Sequence, residues 1–186
     1  MIDIRPLTQL NPDDFRGIVT GYTSSSRYRV QKSETDQSTV FALELEQMDT
    51  PYVKHDDLFD EDNLRNYQTY VQNGFSFGAY DGERLIGIAV AEAQEWSNRL
   101  WLWEFHIAEA YRGMGVGRRL MDTLIERSRQ AGLRAIFLET QNTNVGAIRF
   151  YRKMGFTLAG LNLALYSNQD YPDGEICLFM MRNLQD

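Results

Sequence analysis

Cysteine is almost missing from this chain. Cys177 is the only one in 186 residues, so no internal disulfide can form. Histidine is nearly as scarce, and His55 and His106 with one thiol cannot supply the ligand spacing of a metal site. No metal is expected. Long apolar runs are lacking too: Leu85 to Ala91 and Ile176 to Met181 fall far short of the roughly 20 residues a membrane helix needs. The N-terminus carries no basic-then-apolar signal, so the expectation is a cytoplasmic protein with no membrane contact. Positive charge is also in deficit. Nineteen Lys and Arg against 26 Asp and Glu leave a net charge of −7 and a pI near 4.9. Nonspecific binding to nucleic-acid phosphates or anionic lipid needs the opposite sign, whereas a cationic substrate suits this one.

What remains is an ordinary globular composition, 43% hydrophobic and 24% charged, of a length that fits one domain. Residues 1 to 73 hold the Pro6 and Pro12 turns, Ser24-Ser25-Ser26 and the acidic run Asp56 to Asp62. That third reads as irregular and helical. One helix is expected near Gln37 to Gln47, where Val40, Phe41, Leu43 and Leu45 fit helix or strand equally, and another near Glu61 to Gln72. Beyond it, Gly74 to Tyr80, Asp81-Gly82 and Arg84 to Glu92 spell strand, tight turn, strand. Arg99 to Ala108 predicts a further strand. It leads into Arg112-Gly113-Met114-Gly115-Val116-Gly117, after which the period changes. Val116, Leu120, Met121, Leu124 and Ile125 share one helical face, and Gly132 is placed to end that helix. A strand over Arg134 to Glu139 follows, then a helix capped by Asn144 and stopped at Gly155. Leu158 to Tyr166 and Glu175 to Met181 read as closing strands.

A strand feeding a glycine turn that opens a helix is an anion site, because first-turn N–H groups point outward along the positive end of the helix dipole. Spacing decides which anion. A dinucleotide fingerprint needs glycine at 118, where Arg118 stands, and a Walker loop needs Gly-Lys followed by Ser or Thr, which does not occur. Between Tyr111 and Arg119 lie Arg112, Arg118 and Arg119 and no acid. Phosphate of another kind fits that charge.

Arg112-Gly113-Met114-Gly115-Val116-Gly117, following Phe105-His106-Ile107, resembles the acetyl-CoA loop of the GCN5-related N-acetyltransferase superfamily, Gln/Arg-x-x-Gly-x-Gly/Ala. Asn144, Ala147, Phe150, Tyr151, Gly155 and Phe156 resemble its Asn-x-x-Ala-x-x-Phe-Tyr-x-x-x-Gly-Phe segment, which covers the thiol end of the cofactor. The resemblance runs from about Phe75 to Met181. Leu138-Glu139-Thr140-Gln141, Leu165-Tyr166-Ser167-Asn168 and Glu175-Ile176 resemble the streptothricin acetyltransferase subgroup, which acetylates an amine of an antibiotic's β-lysine moiety. It implies an α+β fold with a central, mostly antiparallel mixed sheet, helices on both faces, and an acetyl-CoA (coenzyme A) loop between a strand and a helix. One acetyltransferase domain would span 1–186, with 1–73 on the acceptor side and 74–186 as the cofactor-binding core.

The chemistry needs a neutral amine, an oriented carbonyl and a protonated leaving thiolate. Backbone N–H groups of Gly113, Met114, Gly115, Val116 and Gly117, with the side chain of Arg112 or Arg118, would hold the pyrophosphate, glycine allowing close approach. The resemblance implies that the main chain of Phe105, His106 and Ile107 bonds the pantetheine arm like an added strand, and that Asn144, Ala147 and Tyr151 meet the cofactor as well. Tyr151, a phenol of ordinary pKa about 10, is the expected acid for the thiolate, although its place four residues after Ala147 also suits a packed core aromatic. Glu104 is the expected base. A two-residue period puts it on the face of Leu102 and His106, opposite Phe105 and Ile107. Glu139 is the second choice; His106 could serve, but a lone strand histidine is more often structural. Cys177, between Ile176 and Leu178, reads as a buried, inert thiol. The expected partner is a small-molecule amine, with the protein a monomer or homodimer. Acetylation of a protein N-terminus or lysine would use the same cofactor residues, and a non-catalytic acyl-CoA-binding module would keep only the loop.

Overall fold

The computed structural model describes residues 2–55 and 61–185, with the side chains of 14, 16 and 61–64 left aside. Residues 56–60 of the acidic run Asp56 to Asp62 therefore lie outside the described residues. In chain order the elements are β1 (Ile2–Pro6), α1 (Pro12–Arg16), β2 (Tyr22–Glu34), β3 (Thr39–Lys54), α2 (Glu61–Val71), β4 (Phe77–Asp81), β5 (Arg84–Gln94), β6 (Arg99–Ile107), α3 (Val116–Gln130), β7 (Ala135–Gln141), α4 (Val145–Lys153), β8 (Thr157–Asn162) and β9 (Cys177–Asn183). They fall into two compact units: Met1–Gly21 with His55–Leu138 and Arg182–Asp186, and Tyr22–Lys54 with Glu139–Met181.

The first unit carries strands in the order β1-β4-β5-β6-β7. Its first three pairings are antiparallel and the last, β6 with β7, is parallel, which makes the expected mixed, mostly antiparallel sheet. The β4–β5 turn falls one residue later than expected. Asp81 pairs with Arg84, so the loop is Gly82-Glu83, with Gly82 at φ +61°. The center of β5 is wholly buried, and its two faces take different helices. Ile88 and Val90 pack with Phe15 and Ile18 near α1 and with Tyr67 and Val71 of α2. Each such aliphatic burial stabilises by about 1.5–3 kcal/mol. On the other face Ala79 and Val116 of α3 meet Ile86, which a bulge opposite Ala79 and Tyr80 turns to their side. Helices thus cover both faces. α3 ends as expected in a left-handed glycine: Gly132 donates to Arg129 O at 2.9 Å and Leu133 to Ser128 O at 3.1 Å.

In the second unit β8 and β9 are antiparallel, and β2 and β3 form a long two-stranded ribbon. That ribbon corrects the sequence reading: Gln37 to Gln47 is no helix, since β3 runs through it. The physical reason is pairing across sequence distance. Val40, Phe41 and Leu45 remain 56%, 40% and 45% exposed, so there is no buried stripe for a helix, and ladder bonds to β2 hold the segment extended. α2 does form where expected.

Candidate active site

A second bulge builds the site in the first unit. Val90 pairs with Glu104 and Ala91 with Leu102, so Trp103 is an extra residue in β6. Cross-strand partners share a face. Glu104 therefore lies with Val90 on the α2 side and Leu102 with Ala91 on the other, which corrects the expected grouping of Glu104 with Leu102. Trp103 joins Glu104: its ring stacks on Tyr70 of α2 at 5.2 Å and meets Trp101 at 5.5 Å. Arg99 lies over the Trp101 ring at 5.5 Å.

Glu104, next in sequence to Trp103, is 9% exposed. Tyr67 of α2 donates its hydroxyl to Oε1, and His106 Nε2 lies 2.7 Å from Oε2. Both carboxylate oxygens are thus held. Burial, followed by the field of Glu92, pushes the Tyr70 phenol up. Tyr67 escaped the sequence reading because it is 37 residues from Glu104 in the chain. Only the helical period of α2 hinted at which of its faces turns inward.

The last parallel pair of β6 with β7 is Leu102 with Leu138, yet β6 continues to Ile107. The parallel ladder of β6 with β7 therefore ends at Leu102, and residues 103–107 run on past it. The following loop is braced from its flanks. Tyr111 donates to Asp81 at 3.0 Å. Arg112 Nε donates to Ile107 O at 3.0 Å, while its Nη2 reaches Thr20 Oγ1 at 3.2 Å and Gly21 O at 3.4 Å. Arg112 is thereby committed to the scaffold. Arg118, 77% exposed with Asp122 3.7 Å away, is the freer cation.

Gly113 and Gly115 have φ of +79° and +82°, and a Cβ at either would meet nothing within 4 Å. Open space therefore lies above a left-handed turn that L side chains avoid. Gly115 is the N-cap of the 15-residue α3, whose first turn contains no acid and no side-chain cap. Buried Val116 fixes that turn to the core. Met114 N–H turns back to Tyr111 O at 3.4 Å, which leaves the amides of Gly115, Val116 and Gly117 for an anion. A cradle of this shape and charge fits a diphosphate.

The second unit holds the other expected residues. Asn144 caps α4, its side chain accepting from Ala147 N at 3.2 Å. Tyr151 is 7% exposed and pinned at the end of that helix. Gly155 N donates to Arg152 O and Phe156 N to Tyr151 O, each at 3.0 Å, and the Phe156 ring packs on Tyr151 at 5.7 Å. The Gly-Phe pair closes the helix and clamps the tyrosine in one step. Glu139 accepts from the hydroxyl of Tyr166 and from Gln141 Nε2 at 3.3 Å. Cys177 is fully buried, and burial pushes its thiol up to about 12, as an inert thiol requires. Sequence reading also missed a network here: Glu175 accepts from Tyr22 at 2.9 Å, Thr143 at 3.0 Å and Lys54 at 2.7 Å.

A strand that outruns its parallel partner, a glycine cradle at a helix start and a buried strand carboxylate together suit the binding of a nucleotide thioester. Comparison with known proteins agrees. The chain belongs to the acetyltransferase (GNAT) family, whose model matches residues 39–156. Streptothricin acetyltransferase of Streptomyces lavendulae is 38% identical over 100 residues, spanning 54% of this chain and 52% of that protein. Streptothricin acetyltransferase A of Bacillus subtilis is 26% identical over 77% of this chain and 80% of its own length. Among solved structures, nourseothricin acetyltransferase superposes with a TM-score of 0.74 at 30% identity, covering 98% of both chains. A Bacillus anthracis protein solved with acetyl coenzyme A shares the fold, with a TM-score of 0.73 at 23% identity over 98% of this chain and 99% of that one.

Proposed function

We propose that this chain transfers an acetyl group from acetyl-CoA to a primary amine of a small cationic molecule of the streptothricin type, by direct attack while both substrates are bound. The observation that carries the reading is the buried Glu104 carboxylate on the same side of the sheet as the Tyr70, Trp103 and Trp101 rings, on the strand that leads to the glycine loop. A carboxylate with aromatic faces attracts an ammonium group by charge and by cation–π contact. The net charge of −7 favours approach of such a ligand.

In this reading the amides of Gly115, Val116 and Gly117, with Arg118, bind the diphosphate, and Arg112 braces them. The main chain of Phe105, His106 and Ile107 takes the amide-bearing arm, and Asn144 and Ala147 shape the start of α4 for the thiol end. Bound acetyl-CoA supplies the activated acyl group. Glu104 draws the proton from the acceptor ammonium, directly or through a neighbouring group, and Tyr151 donates a proton to the leaving sulfur. Residues 1–73 serve the acceptor, residues 74–186 the cofactor, within one cytoplasmic catalytic domain that acts as a monomer or homodimer.

Release of free thiol from acetyl-CoA, measured across streptothricin, β-lysine, spermidine and a peptide N-terminus, tests this. Turnover is expected with streptothricin and β-lysine. Turnover of the peptide alone overturns the small-cation reading in favour of protein acetylation, and acetyl-CoA binding without any turnover identifies a binding module.

A further inference from the structure

We infer that the atom taking the proton from the acceptor ammonium is Nδ1 of His106, with Glu104 and Tyr67 as positioning residues behind it. This rests on the proposed amine acetyltransferase reading and names the proton acceptor within it.

Hydrogen-bond directions fix the tautomer of the ring. The Tyr67 hydroxyl donates to Oε1 of Glu104, so one oxygen of the carboxylate is already an acceptor. The other oxygen faces His106 Nε2 at 2.7 Å. An ionised carboxylate only accepts, so Nε2 must carry the hydrogen. In neutral imidazole this leaves Nδ1 with a lone pair and no hydrogen. Nδ1 makes no hydrogen bond among the described residues. No buried side-chain nitrogen or oxygen there lacks a partner, so Nδ1 reaches solvent.

Position agrees with this role. The His106 side chain is 18% exposed and that of Glu104 11%, so the ring is the more accessible of the two. The order Tyr67, Glu104, His106 is that of a carboxylate fixing one imidazole nitrogen while the other does the chemistry. Tyr67, 8% exposed and packed in the α1–α2 core, prevents the carboxylate from rotating away.

The step balances. The acceptor ammonium gives one proton to Nδ1 and becomes a neutral amine with a free electron pair. That pair attacks the thioester carbonyl carbon; the C–N bond forms, the C–S bond breaks, and the sulfur leaves with the C–S electron pair and takes up a proton. The imidazolium, stabilised by Glu104 through Nε2–H, returns its proton to solvent, as does the amide nitrogen its excess proton.

The test compares His106→Ala, His106→Gln, Glu104→Gln and Tyr67→Phe with the parent protein. Coenzyme A release is measured with the best amine of the panel, and the acetyl-CoA-induced melting shift reports an intact fold and cofactor site. Both His106 variants should lose about ten- to a thousandfold in kcat while keeping the melting shift. Added imidazole should restore part of the activity of His106→Ala and none of that of Glu104→Gln. Tyr67→Phe should lose about three- to tenfold in kcat with KM little changed. Long-range 1H–15N spectra, in which a His55→Gln variant identifies the signals of His106, should show the Nε2–H tautomer. Turnover in His106→Gln within twofold of the parent overturns the inference alone, as does an Nδ1–H tautomer. Absence of turnover by the parent with every amine overturns the amine acetyltransferase reading and this step with it.

Discussion

In the loop from Gly113 to Gly117 the working groups are backbone amides, and the side chains matter chiefly by being absent. On the strand that leads to this loop, at Glu104, the working groups are side chains gathered from β6 and α2, held by a tyrosine hydroxyl and a histidine ring. The loop is local, and its geometry follows from glycines at φ of +79° and +82°. The carboxylate cluster is nonlocal and depends on an extra residue in β6. A site made of amides should fail when the backbone is changed and tolerate changed side chains; a site made of side chains should behave the other way.

The largest effect is expected at the loop. Gly115→Val places a β-branched residue at φ +82° and fills the open space above the turn. Acetyl-CoA at a hundred times its Kd should stabilise the parent by about 2.7 kcal/mol in thermal melts, and the variant should show no shift. A retained shift would remove the cradle from the cofactor site.

Tyr151→Phe deletes one hydroxyl and keeps the ring against Phe156. A fall in kcat of roughly ten- to a thousandfold with unchanged cofactor affinity is expected from stopped-assay kinetics. Unaltered kcat, with chemistry shown to limit the rate, would make Tyr151 a packing residue.

Arg112→Lys tests the brace under the amides. One ammonium cannot reproduce the fork to Ile107 O, Thr20 Oγ1 and Gly21 O. Calorimetric titration should give acetyl-CoA binding weaker by about three- to tenfold, the equivalent of about one hydrogen bond. Equal affinity would mean that the loop holds its shape unaided.

The smallest effect is one of pH. Cys177 has a folded-state pKa raised to about 12 from an ordinary 9.0. Below pH 9 the thiol is neutral in both states and its contribution is fully present. As pH rises from 9 toward 12 the unfolded thiol ionises while the folded one does not, so stability is lost. Denaturant midpoints should therefore fall more steeply above pH 9 in the parent than in Cys177→Ala, by about 1 kcal/mol at pH 10. Parallel curves would show a thiol that ionises in place.

The same contrast explains what could be read before any coordinates. The Gly113 loop, the face of α3 and the Asn144 and Gly155 ends of α4 were legible because each is written in contiguous residues: a turn conformation, a period or a cap. Assignment of Glu104 to the face of Leu102 failed because strict alternation breaks at Trp103, and nothing in Leu102-Trp103-Glu104 announces a bulge. The β2–β3 ribbon was unreadable for a related reason. Its register, from Tyr22 opposite Lys54 to Glu34 opposite Thr39, is fixed by partners far apart in sequence. Exposed Val40 and Phe41 erase the in–out alternation that betrays a strand. Tyr67 needed α2 to dock before its hydroxyl had any meaning.

The bulge at Trp103 has a consequence for counting residues along β6. Both flanking registers, Ala91 with Leu102 and Val90 with Glu104, are those a regular strand would keep if Trp103 were spliced out. An additional indole is thus accommodated without shifting either end of the ladder. Deleting Trp103 would restore strict alternation and leave the Glu104 carboxylate opposite Val90 on the same face of the sheet.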